Sequence, residues 1–336
     1  MEQLRINAQA DLAAIPVSHS IGRGAAAFIA IAFGISWSIW ITARLLGAHV
    51  GVGEEILAFG TAGPAIAAIL LLRNRQKALA AGIATRLVWF ALLWAPAWAV
   101  YILSDKMRGV TPAPSLRFCL IVALLAAIPA WIGSGAIASD AGVWGLLRTL
   151  AIPRNWRWHA IAFFSLPVVL LVPAAIAHAL GRPVVVPRAT VSICPWIAYS
   201  TLMFLRALFF TAYFEEPGWR GYLLPLLQRR FSPLVATVLV AIPWSLWHAP
   251  LDYHGPVGVS LMNYLRVRVV SLFLVAILLT WLYNRSRGNI FTMAVFHAGM
   301  NTFPIVLPYT TASLGLVVLW VLYVIFSDKM WRRLKA

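Results

Sequence analysis

Acidic residues are scarce in this sequence: ten Asp and Glu among 336 residues, against 27 Lys and Arg. Charged residues of either sign make up only 11%, 62% are hydrophobic, and the mean hydropathy is +0.84. So little charge excludes an ordinary soluble globule. The two cysteines, Cys119 and Cys194, form no C-x-x-C pair. That excludes a disulfide scaffold and a thiolate metal site, and leaves them as small residues of membrane helices. There is no Ser/Gly linker, internal repeat or low-complexity tract to mark off a separate domain. No A-x-A cleavage pattern follows the polar stretch 1–24, and the apolar run after it is too long for a signal-peptide core, so the first helix is expected to be retained.

What the chain has in quantity is long apolar runs. About 20 apolar residues span a bilayer as a helix, and the runs predict helices over 25–43, 55–72, 87–104, 116–138, 158–180, 195–214, 233–250, 268–284, 290–307 and 311–327. The fold class is therefore all-α, a polytopic transmembrane bundle of about eight to ten membrane helices by this length rule. The net charge of +17 is not a nucleic-acid footprint, because the basic residues are scattered in small groups between the runs. Placing the N-terminus inside puts 18 Lys and Arg on the inner segments and eight on the outer ones. That is the positive-inside pattern, with both termini cytoplasmic. Gly142–Arg148 and Trp156-Arg157-Trp158 read as one interfacial segment, with Trp at headgroup depth.

Eight of the acids, Glu2, Asp11, Glu54, Glu55, Asp105, Asp140, Asp252 and Asp328, are expected in tails, loops or helix ends. Glu215 and Glu216 abut an apolar run with no loop between. A carboxylate in hydrocarbon costs several kcal/mol (roughly) unless paired, protonated or facing water, so it marks a candidate functional site. Neighbouring helical residues point about 100° apart, whereas Glu216 and Arg220 share a face at i, i+4. One acid can thus be an ion-pair partner while the other stays free. Pro217-Gly218 would then kink the helix or start a new one. The plainer alternative is that both acids simply end the sixth helix at the cytoplasmic interface.

Two further polar groups sit in apolar runs. Trp244 and His248 are one turn apart between Pro243 and Pro250, and His297 and Asn301 share a helix face with small residues between them. A histidine there can accept a proton or bind a metal, and a His/Asn pair can donate to an oxyanion. Each taken alone also suits a hydrogen-bonded interior position. Together, a Glu base, a His partner and a His/Asn pair are the parts that activate water and stabilise a tetrahedral oxyanion.

The order Glu215-Glu216-x-x-x-Arg220, Trp244-x-x-x-His248, His297-x-x-x-Asn301 resembles the three motifs of the CPBP family, the CAAX-prenyl-protease and bacteriocin-processing intramembrane proteases. The resemblance covers roughly 195–327; Trp244 stands where the motif often has Phe, a conservative aromatic change. It divides the chain into N-terminal membrane helices with an accessory role (1–190), a catalytic helix core (191–327) and a basic cytoplasmic tail (328–336). It implies an endopeptidase with Glu215 as the base, His248 assisting, His297 and Asn301 holding the oxyanion, and Glu216, Arg220 and Trp244 orienting the site. A divalent ion such as zinc on Glu215, His248 and His297 and a metal-free reaction are both left open, since the chain lacks His-Glu-x-x-His. The implied partners are a peptide or protein substrate, lipidated or membrane-bound, and the bilayer, in a bacterial cytoplasmic membrane, with a cavity open to the cytoplasm because Arg220 counts among the inner charges. Two other classes stay in view: a transporter or channel using Glu215, Glu216 and Arg206, and a non-catalytic immunity or scaffold protein.

Overall fold

The computed structural model describes residues 21–46, 54–72, 83–109, 115–138, 156–186, 192–252 and 268–334. The described residues form helices throughout, with no strand and one isolated bridge between Val185 and Tyr309. In chain order these are α1 (Ile21–Leu45), α2 (Glu54–Gly60), α3 (Gly63–Leu72), α4 (Ile83–Arg108), α5 (Leu116–Ala138) and α6 (Trp156–Ala179). The second half holds α7 (Ile193–Gln228), α8 (Pro233–Trp247), the single turn α9 (Ala249–Asp252), α10 (Val270–Arg285), α11 (Ile290–Val306) and α12 (Thr311–Ser327). Among the described residues, six helices are long and apolar enough to cross a membrane: α1, α4, α5, α6, α7, and α8 with α9. The protein is an all-α polytopic membrane bundle, and each of the ten expected runs falls on a helix.

Two boundaries differ from the sequence reading. Trp156-Arg157-Trp158 is the first turn of α6, and the rest of the proposed interfacial segment lies outside the described residues. The larger difference is α7, which does not stop at 214. It continues for 36 residues, about 54 Å at 1.5 Å per residue against a hydrocarbon core of about 30 Å. Pro217 sits inside it. The helix tolerates that proline through two π-helical turns, Leu208–Ala212 and Trp219–Leu223, which flank Tyr213–Gly218. A π turn inserts a residue and shifts the register of everything beyond it, a device frequent at functional sites. Glu215 and Glu216 lie on the α-helical turn between the two, so neither acid ends a helix at the interface.

Depth follows from the antiparallel pairing of α7 with α8. The turn between them is closed by Ser232, whose hydroxyl accepts from the Val235 amide and caps α8, with Pro233 at its first position. Glu215 lies 13 residues before Gln228 and Trp244 11 residues after Pro233, which sets them at similar depth. From the first half of the chain, α3 packs directly on the Glu turn. The contact is backbone to backbone: a Cβ at Gly218 would stand 2.5 Å from the Pro64 carbonyl oxygen. With little hydrophobic drive between helices in lipid, such small-residue contacts let helices approach closely enough to hold together.

Gly218→Ala therefore forces α3 away from the Glu turn. Overpacking of this kind costs about 1–3 kcal/mol, so the thermal midpoint of the purified protein in detergent should fall by several degrees (roughly). An unchanged midpoint would mean α3 is not seated there.

Candidate functional site

The Glu turn of α7 is sealed. Glu215 is 1% exposed, Glu216 0% and Arg220 1%, with the indole of Trp244 against Glu215 and Arg220. Glu216 is the ion-pair partner: its Oε1 accepts from Arg220 Nη1 at 3.0 Å and from His297 Nδ1 at 2.6 Å. A carboxylate cannot donate to the ring unless protonated, so Nδ1 carries the hydrogen and Nε2 of His297 is left for another partner. Burying ions costs several kcal/mol each (roughly), offset only when the partners are well placed. Both partners are supplied here, one from the same helix and one from α11.

Glu215 is held differently. Its Oε2 accepts from the Trp244 indole Nε1–H at 2.7 Å. Among the described residues no cation lies within ion-pair distance of it, although the charges of His297, Arg220 and the neighbouring Glu216 act on it from further away. Trp244 does more than touch Glu215. Its carbonyl accepts from His248 Nδ1 at 2.8 Å, its ring carries the Arg220 guanidinium 4.1 Å from the centroid, and it meets His297 edge-on at 5.9 Å. Since a carbonyl only accepts, His248 donates through Nδ1 and offers the lone pair of Nε2. His248 is half-buried at the end of α8.

The structure thus brings Glu215, Glu216, Arg220, Trp244, His248 and His297 into one connected cluster. Asn301 lies one turn beyond His297 on α11, half-buried, with its side chain bonded to no described residue. Trp244 was undervalued in the sequence. The conservative reading of a Trp in place of Phe does not hold, because the contact to Glu215 runs through an N–H that Phe lacks. One further expectation changes. Arg220 is a buried ion-pair partner and not an inner-face charge, so the cytoplasmic opening inferred from it loses that support. Asp105 lies at a helix end as expected, in the last turn of α4, but it is 2% exposed there and pairs with Arg206 Nη1 at 2.6 Å. Arg206 also stacks 3.9 Å from the Tyr101 ring. The Glu215, Glu216 and Arg206 path of a transporter is therefore not assembled, Arg206 being held by α4.

The donor chemistry of Glu215, His248 and His297 would suit a divalent ion. Among the described residues, however, no group of three or more His, Cys, Asp or Glu side chains is gathered closely enough to hold one, so no step below is routed through a metal.

Comparison with known proteins covers this cluster. Residues 197–303 match the sequence profile of Type II CAAX prenyl endopeptidase Rce1-like proteins. Over these residues the chain is similar to the Rce1-like family. The matched Rce1-like region contains the whole cluster and excludes α1 to α6. A curated relative, CAAX prenyl protease 2 of Methanococcus maripaludis, is 29% identical over 154 residues, which cover 44% of this chain and 55% of that protein. The chain thus spans about half the length of that relative.

Two substitutions separate the roles within the cluster. Trp244→Phe keeps the ring and removes the donor to Glu215; losing a hydrogen bond to a charged group costs about 1.5–3 kcal/mol, so turnover should fall about tenfold to a hundredfold with the fold intact. Arg220→Met leaves Glu216 buried without its cation, which should destabilise the protein by about 3–5 kcal/mol, measured as loss of the folded peak in detergent. A Trp244→Phe protein with full activity would show that the indole N–H is idle.

Proposed function

We propose that the chain is an intramembrane endopeptidase in which Glu215 activates water. The observation that carries the reading is the double hold of Trp244. It ties down one oxygen of Glu215 and the Nδ1 of His248, leaving Glu215 Oε1 and His248 Nε2 as the two acceptors for a single water. Glu215 Oε1 takes the proton as the water oxygen attacks the peptide carbonyl, and His248 Nε2 steadies the second O–H. The developing oxyanion is met by Asn301 and by Nε2–H of His297 in its doubly protonated form, whose charge faces Glu216. The proton taken by Glu215 passes to the leaving amine as the tetrahedral intermediate collapses to a carboxylic acid and an amine; the acid then gives its proton to the amine, so the products are a carboxylate and an ammonium. Glu216 and Arg220 orient His297 and touch no substrate.

The substrate class that the relative's name supports is a prenylated C-terminal CAAX peptide, held with its lipid in the bilayer beside the helices. A bacteriocin leader or the tail of a membrane protein presents the same amide to the same groups. The excess of basic residues on the inner segments survives the removal of Arg220 and supports a topology with both termini on the cytoplasmic side. A second reading adds zinc, and one feature favours it: His248 and His297 each donate Nδ1–H to an oxygen and keep Nε2 free, as metal-ligating imidazoles do.

The test uses the full chain in proteoliposomes with a farnesylated CAAX peptide, following release of the terminal tripeptide by mass spectrometry. Glu215→Gln and His248→Ala should each lower turnover at least a hundredfold (roughly) while the protein stays folded. Retained cleavage in Glu215→Gln would remove the base from this scheme. Inhibition by 1,10-phenanthroline reversed by zinc would favour the metal-assisted reading.

A further inference from the structure

Helix α8 ends within the site, and its end is where His248 sits. The last four carbonyls of a helix have no partner within it, and in a bilayer there is no bulk water to take them. Here the partners can be followed one by one. The Trp244 carbonyl accepts from His248 Nδ1. Ser245 and Leu246 carbonyls accept from the His248 amide, the first at 3.3 Å. The His248 carbonyl accepts from the Leu251 amide at 2.9 Å.

Two carbonyls are met from far away in sequence, by α1. Trp37 donates its indole Nε1–H to the Trp247 carbonyl at 3.0 Å, and Arg44 donates Nη2–H to the Leu251 carbonyl at 2.9 Å. Trp37 lies one turn from Trp40, whose ring packs 4.6 Å from that of Trp247. Arg44 follows two turns after Trp37 and brings a positive charge to a helix C-terminus, where the dipole favours it. The two donors therefore bracket His248: one grips the residue before it, the other the turn after it.

We infer that Trp37 and Arg44 are positioning residues that fix the His248 turn against α1, so that the helix preceding the Rce1-like region sets the aim of the His248 ring. Neither touches the reacting atoms; Trp37 holds the carbonyl of the peptide that leads into His248, and Arg44 holds the carbonyl of Leu251 in the turn that follows it. The inference rests on the catalytic reading of His248, and the experiment separates the two.

Trp37→Phe retains the contact with Phe33, whose ring is 5.0 Å from Trp37, and removes the donor. Should that variant fail to fold, incorporation of 3-benzothienylalanine at position 37 keeps the bicyclic shape with sulfur in place of N–H. Arg44→Met removes the second donor, and Arg44→Lys restores a charge and a donor. With the farnesylated CAAX peptide, kcat should fall about tenfold in Trp37→Phe and Arg44→Met, the factor expected from one lost hydrogen bond. KM should stay within about twofold, because the ground-state contacts are untouched. Arg44→Lys should recover most of the rate. In a His248→Ala background the same substitutions should cost nothing further, since residues that act through one group are not additive. An unchanged kcat, a loss in KM alone, or an equal tenfold loss in the His248→Ala background would overturn the inference. Full activity of His248→Ala by itself would instead sink the role given to His248.

Discussion

The bond from the Trp244 indole to Glu215 is the contact on which the site depends. A carboxylate buried to 1% exposure must be satisfied by something, and the choice of partner decides its chemistry. A guanidinium would satisfy it fully and hold it as a structural anion. An indole N–H takes one oxygen, adds no charge, and leaves the second oxygen as an acceptor. Trp244 reaches this position because the π turn Leu208–Ala212 shifts the register of α7 just before the acids, and because α8 runs back antiparallel at matching depth. The same residue presents its carbonyl to His248 and its ring face to Arg220. One side chain thereby couples the positions of three helices through α7, α8 and, by way of His297, α11.

The first half of the chain contributes walls to this arrangement. Gly218 accepts the Pro64 backbone of α3, while Trp37 and Arg44 of α1 satisfy carbonyls around His248. Residues 1–190 carry no motif, yet α1 and α3 within them contact the elements that hold the site. Physically, a polar cluster in a bilayer needs to be enclosed on all sides, and the Rce1-like stretch alone leaves the α1 and α3 side of the Glu turn open. That explains how a match confined to 197–303 can sit within a site whose enclosure depends on helices before it.

The helices were legible because hydrocarbon imposes one rule on every segment: the backbone must bond to itself, so apolar runs become helices. Ends were less legible. The sequence broke α7 at 214 because two acids, a proline and a glycine resemble a helix end, and only the contacts that Trp244 of α8 and Pro64 of α3 make with this turn show it as an interior one. The cluster itself was readable from Glu215, Glu216, His248 and His297 because ionisable groups are rare in such runs. The links among them were not. That Trp244 donates to Glu215, that Arg206 belongs to Asp105, and that Trp37 reaches a carbonyl 210 residues away are facts of register and helix rotation, which a pattern of hydropathy does not encode.

Among the acids whose burial is described, three are exposed to 2% or less: Asp105, Glu215 and Glu216. Two of them are neutralised by geometry. Asp105 has Arg206 at 2.6 Å, with Arg108 at 3.3 Å, and Glu216 has Arg220 at 3.0 Å with His297 on the same oxygen. An acid so paired is a poor base, because taking up a proton would forfeit its ion pair and strand a buried cation. Glu215 alone has a neutral donor in that place, so protonation costs it one hydrogen bond and strands nothing. The adjacent position in sequence made the two glutamates look equivalent; the difference in partner is the observation on which the proposed division between proton transfer and scaffolding rests.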